Sequence, residues 1–148
     1  MGAMGMPYDL ERFLRAQERD YEGALRELRA GRKRSHWIWY VFPQLRGLGY
    51  SRMSEYYGID GLGEARAYVK EPTLRARLLQ VTKTLLDLPG NDPTVVMGHP
   101  DDLKLRSCMT LFCLAAPGEP AFRQVLDKYF GGEKDPRTLE LLADPPEE

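Results

Sequence analysis

His36 heads a run, His36 to Pro43, that gathers both tryptophans, a tyrosine and a phenylalanine into eight residues. Imidazole gains and loses its proton near neutral pH, so His36 is a natural general base or anion ligand. Much later, Asp101 and Asp102 open a second unusual stretch, D-D-L-K-L-R-S-C-M-T-L-F-C-L. Either carboxylate, brought beside His36, would fix its tautomer. Asp102 is also placed to stabilise positive charge on a ribose during cleavage of an N-glycosidic bond. His36 and Asp102 are therefore the catalytic candidates. Around them, Trp37, Trp39 and Phe42 offer walls for a planar ring, and Arg34 and Lys104 offer charge for phosphate. Gln44, Ser107 and Thr110 add neutral hydrogen-bonding groups. This set describes a pocket for a small nucleotide or ADP-ribose-like ligand, and any enzyme built on it would be a hydrolase of an N-glycosidic bond.

Each residue also has a plainer use. A histidine on an aromatic helix can be a satisfied core residue. Ser107 and Thr110 lie three apart on one face of a nearly apolar helix, where each hydroxyl can bond the carbonyl one turn back. Trp37 and Trp39, two apart, point in different directions on a helix, so one should face the core and the other should be partly exposed. Arg26, Arg29, Arg32, Lys33 and Arg34 surround Glu27 alone among charged groups and can simply complement a helix dipole. The second functional reading uses that basic end: a non-enzymatic interaction module that contacts nucleic acid or an acidic protein partner. The pocket reading needs one spatial condition, that the indole-rich segment and the helix opened by the two aspartates lie side by side around a shared hollow.

Much is excluded. The chain carries 21 basic and 22 acidic residues, a formal net charge of −1, and gives no global drive toward nucleic acid or anionic membrane. No apolar run approaches the ~18 residues of a membrane span, and nothing reads as a signal peptide. No phosphate-binding P-loop, dinucleotide fingerprint, nucleophile elbow, H-E-x-x-H or C-x-x-C occurs. His36 and His99 are distant and lack carboxylates at ligand spacing, so no metal site is expected, and no cofactor either. Cys108 and Cys113 share an apolar segment; on a helix their side chains would diverge by ~140°, which suits reduced, buried thiols of a cytoplasmic protein.

The elements that must position these groups are helical throughout. Leu10, Phe13, Leu14, Gln17, Tyr21, Ala24, Leu25 and Leu28 follow the spacing of an amphipathic helix, with Asp9 as its expected cap and Gly31 just past its end. Ser35 to Phe42 reads as a short helix of two turns, stopped by Pro43, although Trp37, Trp39 and Val41 also alternate as a strand would. Shorter helices follow after Ser51, from Gly63 to Lys70, from Pro72 to Leu88, after Asp92-Pro93, from Pro100 to Ala115, from Pro120 to Phe130 and from Pro136 to Leu142. The expectation is an all-α, compact multihelical single domain over residues 6–143, with about seven to eight helices, several of them short. Met1 to Gly5 reads as an added leader, and Asp144 to Glu148 as a frayed acidic tail.

The run G-R-K-R-S-H-W-I-W-Y-V-F-P-Q-L-R-G-L-G, with Y-Y-G-I, E-A-R-A-Y-V, G-H-P-D-D-L-K-L-R-S-C-M-T-L-F and K-Y-F-G-G, resembles the DUF1810 (Rv1873-like) family of uncharacterised bacterial proteins. The resemblance spans Asp9 to Leu142. It implies a mainly α-helical domain and no established activity. Cys108 stands where a second serine is expected, so that position carries no catalytic weight. A fainter analogy at the level of fold links such domains to enzymes acting on N-glycosidic bonds of ADP-ribose-like compounds.

Overall fold

A computed structural model describes residues 8–143; Met1–Gly5 and Asp144–Glu148, expected from sequence as an added leader and a frayed tail, fall outside them. Among the described residues there are nine helices: α1 (Glu11–Arg29), α2 (Ile38–Val41), α3 (Arg52–Tyr57), α4 (Gly61–Lys70), α5 (Pro72–Asp87), α6 (Pro93–Met97), α7 (Asp101–Ala115), α8 (Ala121–Phe130) and α9 (Pro136–Ala143). The fold is all-α, as the periodicity predicts. Each of the nine falls on a segment that the sequence marks out, one more than the expected seven to eight, and α2, α3 and α6 are short helices of 4, 6 and 5 residues.

The boundaries follow local chemistry. At the end of α1, Arg32 N–H bonds the Glu27 carbonyl and Gly31 N–H bonds that of Leu28, a Schellman motif. It requires a left-handed residue, supplied by Gly31 at φ 81°. Pro72 and Pro93 sit in the first turns of their helices, and the Glu71 and Asp92 side chains accept from Leu74 and Thr94 N–H. Ser51 caps α3 by accepting from Ser54 N–H. Asp9 does not cap α1. The helix begins one residue later, after Leu10, and the Asp9 carbonyl is instead held by the Arg12 guanidinium.

Helix α7 is the hub, packed against α2, α4, α6, α8 and α9. Its apolar half is buried nearly all round, which explains why it has no polar face to read in sequence. Phe112 at its centre stacks on Tyr68 of α4 and Phe122 of α8, with ring centroids 5.3 and 5.9 Å away. On the other side of the core, α1 lies against α5 and α2. Gln17, buried on the apolar face of α1, donates to the Tyr40 carbonyl at 2.7 Å and so docks α2.

The segment between α2 and α4 closes on itself. Leu45 and Ile59 form a parallel bridge, with Arg46 N–H on the Ile59 carbonyl and Ile59 N–H on the Gln44 carbonyl, both at 2.8 Å. Gly58 makes that closure possible, because a Cβ there would lie 2.7 Å from the Arg46 Cβ and 2.8 Å from its Cα. The α3 turn is thereby folded back over α2, and a cleft forms between them.

Candidate functional site

The indole-rich segment and the start of α7 do lie side by side. Lys33 Nζ meets Asp101 Oδ2 at 2.8 Å, and Lys104 Nζ meets Asp101 Oδ1 at 3.4 Å. Each lysine also covers an indole: Lys33 stands 4.9 Å from the Trp37 ring centre, and Lys104 stands 5.4 Å from that of Trp39. These paired groups join the two elements directly, and the cleft lined by Trp39 takes no residue from α7.

His36 and Asp102 do not meet, which corrects the catalytic pairing expected from sequence. Asp102 faces α6: it accepts from the Thr94 hydroxyl at 2.7 Å and from Leu103 N–H at 2.9 Å, and its Oδ1 lies 3.0 Å from Nδ1 of His99. The histidine it meets is the one three residues upstream, in the turn that leads into α7. His36 is exposed and lines a groove of about 310 Å³ along α1, among Arg19, Asp20 and Glu27.

Trp37 is fixed by a residue that sequence reasoning passed over. Glu27 Oε1 accepts from Trp37 Nε1 at 2.9 Å and from the N–H groups of Arg34 at 2.8 Å and Ser35 at 2.9 Å, while Oε2 takes the Ser35 hydroxyl at 2.6 Å. Partial burial alone would raise the carboxyl's pKa, but the hydrogen bonds from Ser35, Arg34 and Trp37 outweigh it and hold the pKa at about 2. One signal for this was present in the sequence, a single acidic residue inside a basic run.

Several expected pocket residues are interior ones. Phe42 and Thr110 are 0% exposed and present no wall or donor to a ligand, and Trp37, at 2%, only edges the groove that His36 lines. Ser107 and Thr110 bond the carbonyls of Leu103 at 3.2 Å and Arg106 at 2.8 Å, and the Thr110 hydroxyl also accepts from Asp135 N–H at 2.8 Å. Arg34 is exposed with its backbone N–H on Glu27, and Lys104 is committed to Asp101 and Trp39.

Two expected ligand residues remain together. Trp39, half-buried, and Gln44 line the cleft between α2 and α3, with Leu48, Met53, Ser54 and Tyr57. As it stands the cleft holds about 10 Å³, room for one water molecule. Trp39 Nε1 is buried with no hydrogen-bond partner among the described residues. An orphaned donor of this kind costs about 1–3 kcal/mol, so its presence calls for an acceptor. Burial raises the Tyr57 hydroxyl's pKa, so it remains a neutral phenol. Among the described residues, no carboxylate or imidazole lines the cleft. Arg46 and Arg52, beside lining residues Leu45 and Met53, are exposed and make no ion pair among the described residues. Tyr50, between lining residues Gly49 and Met53, is 87% exposed.

The cleft's closing segment hangs on another pair absent from the sequence reading. Arg12, buried in α1, donates Nη1 to Glu64 at 2.8 Å, Nη2 to the Gly58 carbonyl at 2.9 Å and Nε to that of Tyr56 at 2.8 Å. It stitches the end of α3 to α1 and α4. Among the described residues, no three His, Cys, Asp or Glu side chains are grouped to hold a metal ion, and no helix is long and apolar enough to cross a membrane.

Fold and site together define a small all-helical domain with a water-sized aromatic cleft on one side. The chain belongs to the family described as "Protein of unknown function (DUF1810)", whose model matches residues 7–142. Among solved structures it is similar to the conserved hypothetical protein Rv1873 from Mycobacterium tuberculosis. That match has 49% identity and a TM-score of 0.91, covering 93% of this chain and 98% of that one. No functionally curated protein matches the chain.

Proposed function

We propose that the protein binds a small nucleotide or ADP-ribose-like ligand in the cleft between α2 and α3, and binds it without turnover. The observation that carries this reading is the buried, unpartnered N–H of Trp39 on the wall that also bears Gln44. An indole N–H and a primary amide match the carbonyl and amide edges of a nucleobase or nicotinamide-type ring. The half-buried Trp39 and Tyr57 rings and the Met53 thioether give that ring apolar contact. Arg52, next to the lining residue Met53 in α3, is the exposed cation that would meet phosphate, a role expected from Arg34 and Lys104; Arg46 lines a separate hollow with Glu55 and Asp60. The absence of any carboxylate or imidazole in the lining separates binding from glycosidic hydrolysis, which needs an acid–base group. Entry of a ring requires the turn bearing Leu48 and Met53 to move outward, so binding should order and stabilise that turn.

Thermal-shift and calorimetric titration with AMP, ADP, ADP-ribose and nicotinamide mononucleotide tests the proposal. One of them should raise the melting temperature and change tryptophan fluorescence. Trp39→Phe, which removes the N–H and keeps a ring, should abolish the effect with the fold intact. A wild-type protein unmoved by every one of these at millimolar concentration sinks the reading.

A further inference from the structure

One aromatic ring beside the Trp39 cleft is left to solvent. Tyr50 lies between Gly49 and Met53, both of which line the cleft, and is 87% exposed. Tyr56, the other exposed tyrosine, packs edge-on against Tyr57 with ring centroids 4.7 Å apart. Tyr50 stacks on no aromatic ring among the described residues. A phenol ring in this position forgoes the burial that stabilises most aromatic side chains.

The turn that carries Tyr50 is braced internally. Gly49 packs on Ser54 so closely that a Cβ there would lie 2.6 Å from Ser54 Oγ. Ser51 accepts from Ser54 N–H at 3.1 Å, and the two hydroxyls bond at 3.0 Å. Residues 49–54 therefore move as one piece when the cleft opens, and Tyr50 travels with the Met53 wall. A tyrosine ring has few torsions to fix, so presenting it from a braced turn costs little entropy on binding.

Charge completes the arrangement. Arg52 is the one charged residue between Gly49 and Ser54, is exposed, and makes no ion pair among the described residues. With consecutive Cα atoms about 3.8 Å apart, those of Tyr50 and Met53 lie at most about 11 Å from each other, with Arg52 between them in the chain. A wall for one ring, a free guanidinium and an unpartnered second ring thus share one short turn. A base, a phosphate and a second base occur together in the same way in two nucleosides joined through phosphate. A mononucleotide would leave Tyr50 unused.

We infer, on the nucleotide reading of that cleft, that its ligand is a dinucleotide, with one base in the cleft, its phosphates on Arg52 and its second base stacked on Tyr50. Calorimetric titration of the full chain with matched probes tests this. ADP-ribose is set beside diadenosine diphosphate, which adds one adenine, and nicotinamide mononucleotide is set beside NAD. In at least one pair the dinucleotide should bind about fivefold or more tightly than its single-base counterpart. Tyr50→Ala, at an exposed position, should remove that advantage while the single-base probe's affinity and the melting temperature stay unchanged. Tyr50→Phe, which keeps the ring, should retain the advantage, and Arg52→Ala should weaken both members of the pair. Equal binding within each pair, or an advantage that survives in Tyr50→Ala, overturns the inference and leaves the cleft reading standing. Silence toward every probe at millimolar concentration removes the cleft reading, and the dinucleotide with it.

Discussion

Trp37 and Trp39 stand two residues apart in one short segment and live in opposite environments. The Trp37 ring is enclosed, capped by Lys33, packed on Phe42 at 6.2 Å, and its N–H is bonded to Glu27. Trp39 is half-buried on the cleft wall, its ring covered by Lys104 and its N–H bonded to nothing. A satisfied indole is a structural anchor. An indole that keeps a desolvated donor without an acceptor has given up stability, and the proposed ligand would supply that acceptor. Their spacing predicts that one faces the core and the other is partly exposed, and the surroundings decide which is which.

That contrast can be broken at Trp37 first. Trp37→Ala empties a packed site and strands the Glu27 carboxylate, and should cost about 3–5 kcal/mol in urea denaturation. A loss under 1 kcal/mol would mean that Trp37 is no anchor. Glu27→Gln should cost about 1.5–3 kcal/mol through weakened charge-assisted bonds, and it should also flatten the acid dependence of stability. Glu27 titrates at about 2 in the fold against an ordinary 4.5. The unfolded chain therefore binds its proton first, so the residue's stabilisation is complete above about 4.5 and fades as pH falls toward 2. Melting temperatures followed between pH 6 and pH 3 should drop less in Glu27→Gln than in wild type.

The basic run gives a sharper comparison of neighbours. Lys33→Ala removes a buried ion pair with Asp101 and a contact with Trp37, and should destabilise more than R32A/R34A, whose exposed guanidiniums make no ion pair. The double variant should lie within about 0.5 kcal/mol of wild type. Chemical denaturation of the two proteins orders them, and equal losses would show that the Lys33 pair contributes nothing. Trp39→Phe is the smallest expected change. Removing an orphaned donor should leave stability within about 1 kcal/mol of wild type or raise it slightly, while the nucleotide response disappears.

The helices were legible in the sequence because their causes are local. Apolar spacing on α1, prolines in the first turns of α5 and α6, the Asp92 and Ser51 caps and the glycine after α1 all act within a few residues of themselves. The family was legible as well, since its ordered motifs run along nearly the whole chain. The site was legible only in part. Trp39 and Gln44 stood out by type, yet Met53, Ser54 and Tyr57 join them only because Leu45 bridges Ile59 and Arg12 holds the end of α3. Pairing is a property of space. Asp102 took His99 rather than His36, Lys33 took Asp101, and Glu27 took Trp37, and nothing along the chain distinguishes those partners from others of the same chemistry. Sequence by itself set where each helix begins and ends, through short-range backbone and capping preferences. Tertiary packing alone decided which polar group met which, because burial makes each seek a partner and only the folded arrangement brings one within reach.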